Sequence, residues 1–138
     1  TSALLGMHVR LGCPSGYAAE DGELQALQKL GAASVNQFDN MKDAVGGAHA
    51  VHTDVWTSMG QESETNKREK AFANFQVTEA VMKDAAADAI FMHCLPAHRG
   101  MEVAAEVIDG PRSKVFEQAH NRMHAARGLL AFLMGVNV

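Results

Sequence analysis

The chain has no apolar run of about 18 residues and opens on no secretory-leader pattern. Neither a membrane-spanning helix nor a signal peptide is therefore expected. Its 12 Lys and Arg are scattered, with only Lys67, Arg68 and Lys70 close together, and 16 Asp and Glu bring the formal net charge to -4. That balance argues against a nucleic-acid or anionic-membrane partner. No G-x-G-x-x-G comes after the first strand-like run and no other Gly-rich phosphate cradle occurs, which weighs against a nucleotide enzyme. There is no internal repeat and no low-complexity tract. Cysteine is scarce: Cys13 and Cys94 both sit at the ends of strand-like runs. The expectation is two free thiols in a reducing, cytoplasmic compartment.

What remains is ordinary globular material. With 138 residues, 47% hydrophobic and 20% charged, residues 1–138 suit one domain able to bury about two-thirds of its unfolded surface. Residues 1–5 read as the tail of a helix before Gly6, with no initiator Met, as though another domain preceded them.

Apolar and polar residues alternate over 7–11 between Gly6 and Gly12, the pattern of a first strand. A Pro-Gly turn at 13–16 comes next. Leu24, Leu27 and Leu30 keep helical spacing up to Gly31. Residues 33–38 suit a second strand. Asp39 or Asn40 can cap a helix carrying Met41, Ala44 and Val45, ended by Gly46-Gly47. Residues 48–55 form a third strand that runs into a long polar segment, 56–70, expected to be a mobile loop. Thr78 can cap a helix that buries Val81 and Met82. Residues 88–93 carry an apolar run, 89–92, too short for a helix and suited to a buried parallel strand. A short helix over 102–108 precedes a final one from about 115 to 134. In the last, Val115, Phe116, Ala119, Met123, Ala126, Leu130 and Leu133 fall along one stripe expected to face the core. Strand and helix alternate throughout, which predicts an α/β fold: a mostly parallel sheet with helices on both faces, three layers in a Rossmann-like arrangement.

Three clusters could carry chemistry. Asp54 ends the third strand and leads into Ser58-Met59-Gly60, a carboxylate followed by hydroxyl and backbone donors, which suits an amino acid; Asp54 as a turn cap with Trp56 in the core is equally open. His93-Cys94-Leu95-Pro96 delivers an imidazole and a thiol to a strand's carboxyl end, where α/β folds bind ligands. Adjacent strand residues face opposite ways, so His93 is a poor activator of a Cys94 nucleophile. Cys94 and His98 alone do not make a zinc site. A polar pair around a substrate and a merely buried thiol both remain open. Lastly, His120 and His124 share a helix face and could hold a metal or simply face solvent, while Arg122 offers a fork of donors.

Taken together, D-V-W-T-S-M-G-Q-E at 54–62, F-M-H-C-L-P-A-H-R-G at 91–100 and N-R-M-H at 121–124 resemble the carboxyl-terminal half of the ornithine carbamoyltransferase family. The resemblance covers essentially the whole chain. It implies the ornithine-binding domain of an enzyme of arginine biosynthesis, making L-citrulline and phosphate from L-ornithine and carbamoyl phosphate without metal or organic cofactor. It implies that Asp54 binds the α-ammonium of ornithine, and that Ser58 and Met59 belong to a loop closing over it. Cys94 and the Leu95 carbonyl would lie beside the attacking δ-amine, and His93 and Arg122 would contact the carbamoyl oxygen. Two departures stand out: His120 occupies a position that is usually acidic, and the S-x-R-T-R phosphate motif of the family's amino-terminal domain is not in this sequence. Carbamoyl phosphate would then bind through that domain, in a homotrimer or larger assembly, and this chain by itself would be inactive. Two other readings stay open: a non-catalytic amino-acid-binding or assembly domain, and a thiol-dependent hydrolase using Cys94.

Overall fold

The computed structural model describes residues 1–58 and 60–136. Four strands, β1 (His8–Gly12), β2 (Ser34–Phe38), β3 (Ala50–Thr53) and β4 (Ile90–His93), are threaded by helices. These are α1 (Asp21–Lys29), α2 (Met41–Val45), α3 (Thr65–Phe72), α4 (Glu79–Asp84), α5 (Ala105–Ile108) and α6 (Val115–Leu133). The α/β class is as the alternation predicts. Helix starts obey local chemistry: Asn40 Oδ1 accepts the Asp43 N–H at 2.9 Å and Thr78 Oγ1 accepts the Val81 N–H at 3.3 Å, each satisfying a donor the first turn leaves free.

The strands pair in parallel but as two separate two-stranded sheets, β1 with β2 and β3 with β4. The expected single sheet is therefore divided into two. Helix α2 joins the halves. Ala44 and Val45 are buried, and Gly12 approaches so closely that an added Cβ would sit 2.7 Å from that of Ala44. The connection leaving α2 bonds to the one leaving α4, through Gly47 N–H to the Asp84 carbonyl and Ala86 N–H to the Ala48 carbonyl, both at 3.0 Å.

The core surrounds β4. Phe91, Met82, Val77, Val103 and Val115 are all almost fully buried and belong to one apolar cluster with Val45, Val51 and Ile108. On the edge away from β3, the Phe91 N–H donates to the Arg112 carbonyl at 2.9 Å and the Phe91 carbonyl accepts from the Lys114 N–H at 2.8 Å. With both edges occupied, β4 is a rigid interior strand, and it gives the turn at its carboxyl end a fixed base.

Two further expectations are corrected. Only the first part of 56–70 is loop: a 3-10 turn at Glu62–Glu64 leads into α3. This helix has no apolar stripe to betray it. It rests on an Arg68–Glu64 pair at 3.0 Å and on Phe72, whose ring packs edge-on against Tyr17 and Phe75 and stacks near Trp56. The second correction concerns α6, whose stripe does not face the core. Val115 is buried, but Phe116, Met123, Leu130 and Leu133 are 68%, 51%, 60% and 70% exposed. Helical periodicity shows which residues share a face and says nothing about what covers it. Among the described residues, no helix is long and apolar enough to cross a membrane.

Candidate active site at the carboxyl ends of β3 and β4

The register aligns Thr53 with His93, the last residue of each strand, so the residues that follow them, Asp54 and Cys94, emerge beside each other. The Cys94 thiol donates to Asp54 Oδ1 at 3.0 Å. The same oxygen accepts the Val55 N–H at 2.7 Å. The pair tunes itself in opposite directions. The thiol's hydrogen bond, aided by the Val55 N–H and the nearby His93 and His52, holds the Asp54 carboxyl below its usual range despite partial burial. Burial and the Asp54 hydrogen bond and charge push Cys94 up to about 11, against its own backbone N–H and the charge of Arg122. At neutral pH the site therefore presents a carboxylate and a neutral thiol, a hydrogen-bond donor rather than a nucleophile.

That state has a direct readout. Alkylation of Cys94 by iodoacetamide, measured by mass spectrometry, is expected to accelerate toward a midpoint near 11, and Asp54→Asn to lower that midpoint because the charge keeping the proton on sulfur is gone. A wild-type midpoint below 8 would contradict this assignment.

His93 is fully buried. Its Nδ1 accepts the Leu95 N–H at 2.9 Å, which places the ring proton on Nε2, donating to Glu102 Oε1 at 3.1 Å. Glu102, itself 1% exposed, also accepts the His98 N–H at 2.6 Å on the same oxygen. Both nitrogens of His93 are thus engaged within the protein. Contact with a carbamoyl oxygen would first require Nε2–H to leave Glu102. What the ring does here is support the turn after Cys94, where Leu95 adopts a left-handed φ of 55°. A non-glycine residue in that region costs about 1–3 kcal/mol, which the His93 and Glu102 bonds on either side offset. Arg99 clamps the far side of the turn through a two-pronged pair with Asp109 at 2.6 and 2.8 Å.

Ser58 is exposed, its N–H donating to Gln61 Oε1 at 3.3 Å. Met59 lies outside the described residues. Trp56 is half-buried, and its carbonyl accepts from Arg68 Nη1 at 3.4 Å. Arg122 sits on the exposed flank of α6, near enough for its charge to act on Cys94. His120 and His124 are exposed on that helix, and no group of three or more metal-ligating side chains forms among the described residues. His98 is turned to Glu102, its Nδ1 3.9 Å from Oε2.

Two residues at the site escape sequence reasoning. Glu102 reads as an ordinary helix-start residue, and nothing local marks it as buried. His52 is legible in principle, since strand alternation puts it on the same face as Asp54. Its Nε2 lies 3.2 Å from Gln118 Nε2 on α6, and on its other side it lines an open cleft of about 480 Å³ with Cys13, Tyr17 and Gln37.

Residues 1–133 match the model of the aspartate/ornithine carbamoyltransferase family, Asp/Orn-binding domain. The chain belongs to that family. It is 50% identical over 135 residues to an ornithine carbamoyltransferase of Parasynechococcus marenigrum, covering 96% of this chain and 42% of that protein. The solved structure of the ornithine carbamoyltransferase of Pyrococcus furiosus superposes with a TM-score of 0.85 at 42% identity, over 99% of this chain and 44% of that one. The anabolic enzyme of Campylobacter jejuni gives 0.89 at 31% identity, over 99% and 46%. This Asp/Orn-binding chain thus spans less than half the length of the carbamoyltransferases it matches.

Proposed function

We propose that this chain is the ornithine-binding half of an ornithine carbamoyltransferase. The observation that carries the reading is the Asp54–Cys94 pair, a carboxylate and a neutral thiol 3.0 Å apart at the ends of two parallel strands. Asp54 takes the α-ammonium of L-ornithine through a charge-assisted bond. Cys94 stays protonated and lies beside the δ-amine, with the Leu95 carbonyl next to it. The uncharged δ-amine attacks the carbonyl carbon of carbamoyl phosphate; the new C–N bond forms, the C–O bond to phosphate breaks, and the proton lost by the amine passes to the departing phosphate. Arg122 faces the oxygen on which charge develops. His93 and Glu102 act through the turn they hold. Ser58 and Met59 belong to the segment that closes on the amino acid, and carbamoyl phosphate is bound by a domain outside these residues, in a homotrimeric or larger assembly. A thiol hydrolase is disfavoured because a thiol held near 11 is a poor nucleophile at neutral pH.

The test joins this chain to the amino-terminal domain of a related ornithine carbamoyltransferase and measures citrulline. Turnover is expected from the joined protein and none from the chain alone. Asp54→Asn should lower kcat/KM for ornithine roughly 10- to 150-fold, the loss of a hydrogen bond to a charged group worth about 1.5–3 kcal/mol. No citrulline from a folded joined protein would refute the reading.

A further inference from the structure

Helix α6 is weakly held for its length. Val115 is buried and Lys114 N–H bonds to the Phe91 carbonyl, but beyond that first turn only Gln118 and Ala131 are even half-buried. Among the described residues of this chain, apolar packing therefore does not decide how the helix is rotated where Arg122 leaves it. One side-chain bond from α6 reaches a strand among the described residues: Gln118 Nε2–H to His52 Nε2, 3.2 Å. The spacing on the two elements matches. Gln118 and Arg122 are one helical step of four apart, about 6 Å along one face. His52 is the third residue of β3, and Asp54 follows its last residue two positions on, about 6.6 Å away where the chain stays extended. Docking Gln118 on His52 thus brings Arg122 level with the end of β3.

We propose that His52 and Gln118 form a positioning pair that fixes the rotation of α6 and turns Arg122 toward the Asp54–Cys94 pair. Its functional meaning rests on the carbamoyltransferase reading, but the contact can be tested without turnover. The chemistry of the pair is suited to the task. Partial loss of water around the otherwise exposed ring lowers the His52 pKa, the His93 ring adding to this and Asp54 opposing it, so a neutral ring offers Nε2 as an acceptor. Gln118 Oε1 is buried with no partner among the described residues. A half-turn of the amide would present that oxygen to an Nε2–H tautomer, so the contact survives either tautomer. The charge of Arg122 already acts on the Cys94 thiol.

The test uses that thiol as a reporter, in the whole chain carrying Cys13→Ser so that Cys94 alone is alkylated. Arg122→Gln is expected to slow alkylation at fixed pH about two-fold, as removal of a nearby cation disfavours the thiolate. His52→Ala and Gln118→Ala should each slow it similarly. His52→Ala combined with Arg122→Gln should add nothing further, and His52→Gln, which keeps an acceptor, should restore most of the rate. At the alkaline pH of the measurement His52 is uncharged, so its removal has no direct charge effect on sulfur. His52 is exposed, which makes misfolding of its variants a poor explanation, and the Gln118 variant reads the same contact from the other side. Overturning results are an unchanged rate in either alanine variant, an additive double variant, or no effect of Arg122→Gln. A failed citrulline assay alongside the expected rates would sink the enzyme reading and leave this contact standing.

Discussion

Replacing Glu102 with Ala is expected to destabilise the fold by about 2–6 kcal/mol, the cost of two buried donors left without an acceptor. The carboxylate is almost completely buried and receives two donors on one oxygen, His93 Nε2–H and His98 N–H. Truncation leaves both facing a space without an acceptor, and an unsatisfied buried donor costs about 1–3 kcal/mol. His93 is the more sensitive of the two, because its ring is fully enclosed and its other nitrogen is already bonded to Leu95. Glu102→Gln keeps one carbonyl oxygen and should lose less than half as much. Urea unfolding monitored by circular dichroism measures both. An alanine variant within 1 kcal/mol of wild type would show that water reaches the site and that the turn does not depend on this residue.

Much of the fold is legible in local pattern because local chemistry determines it. The run over 88–93 forms β4, and Asn40 and Thr78 cap the helices they precede. Helix α3 is hidden because its stability comes from an ion pair and from an aromatic contact with Tyr17, a residue far away in sequence. The stripe on α6 is a stripe, as its periodicity predicts, but it is not core. The division into two sheets is invisible in the sequence because strand pairing is non-local. The candidate site divides in the same way. Residue types and motif resemblance bring forward Asp54 and Cys94, yet no spacing rule joins residues 40 apart; the parallel register of β3 and β4 does that. Glu102 is illegible for a related reason: burial of a carboxylate is decided by what folds over it.

The thiol shows what the structure adds to residue identity. A cysteine after a strand, next to a histidine, suggests an attacking sulfur. Here the histidine faces into the protein and bonds to Glu102, while burial and a bond to an aspartate together raise the pKa of the sulfur. Base and thiol are separated by strand alternation, and the charge beside the thiol is of the wrong sign for a thiolate.

Arg122→Gln is expected to lower kcat in the joined protein by roughly 10²–10³, the effect of removing one donor aimed at a developing oxyanion. The KM for ornithine should change little, because an interaction made mainly in the transition state is lost from kcat and kcat/KM together. Asp54→Asn should show the contrasting pattern, with its loss mainly in KM, since the α-ammonium is bound equally before and during the reaction. Arg122→Lys separates charge from shape: an ammonium keeps the cation but not the planar fork, so it should recover only part of the rate. The placement of Arg122 on an exposed helix flank makes the variant informative, because no buried partner is disturbed and the fold should be unaffected. If Arg122→Gln retained turnover within three-fold of wild type while Asp54→Asn still raised KM, the oxyanion would have to be met by a group outside this chain. The role left to α6 would then be structural.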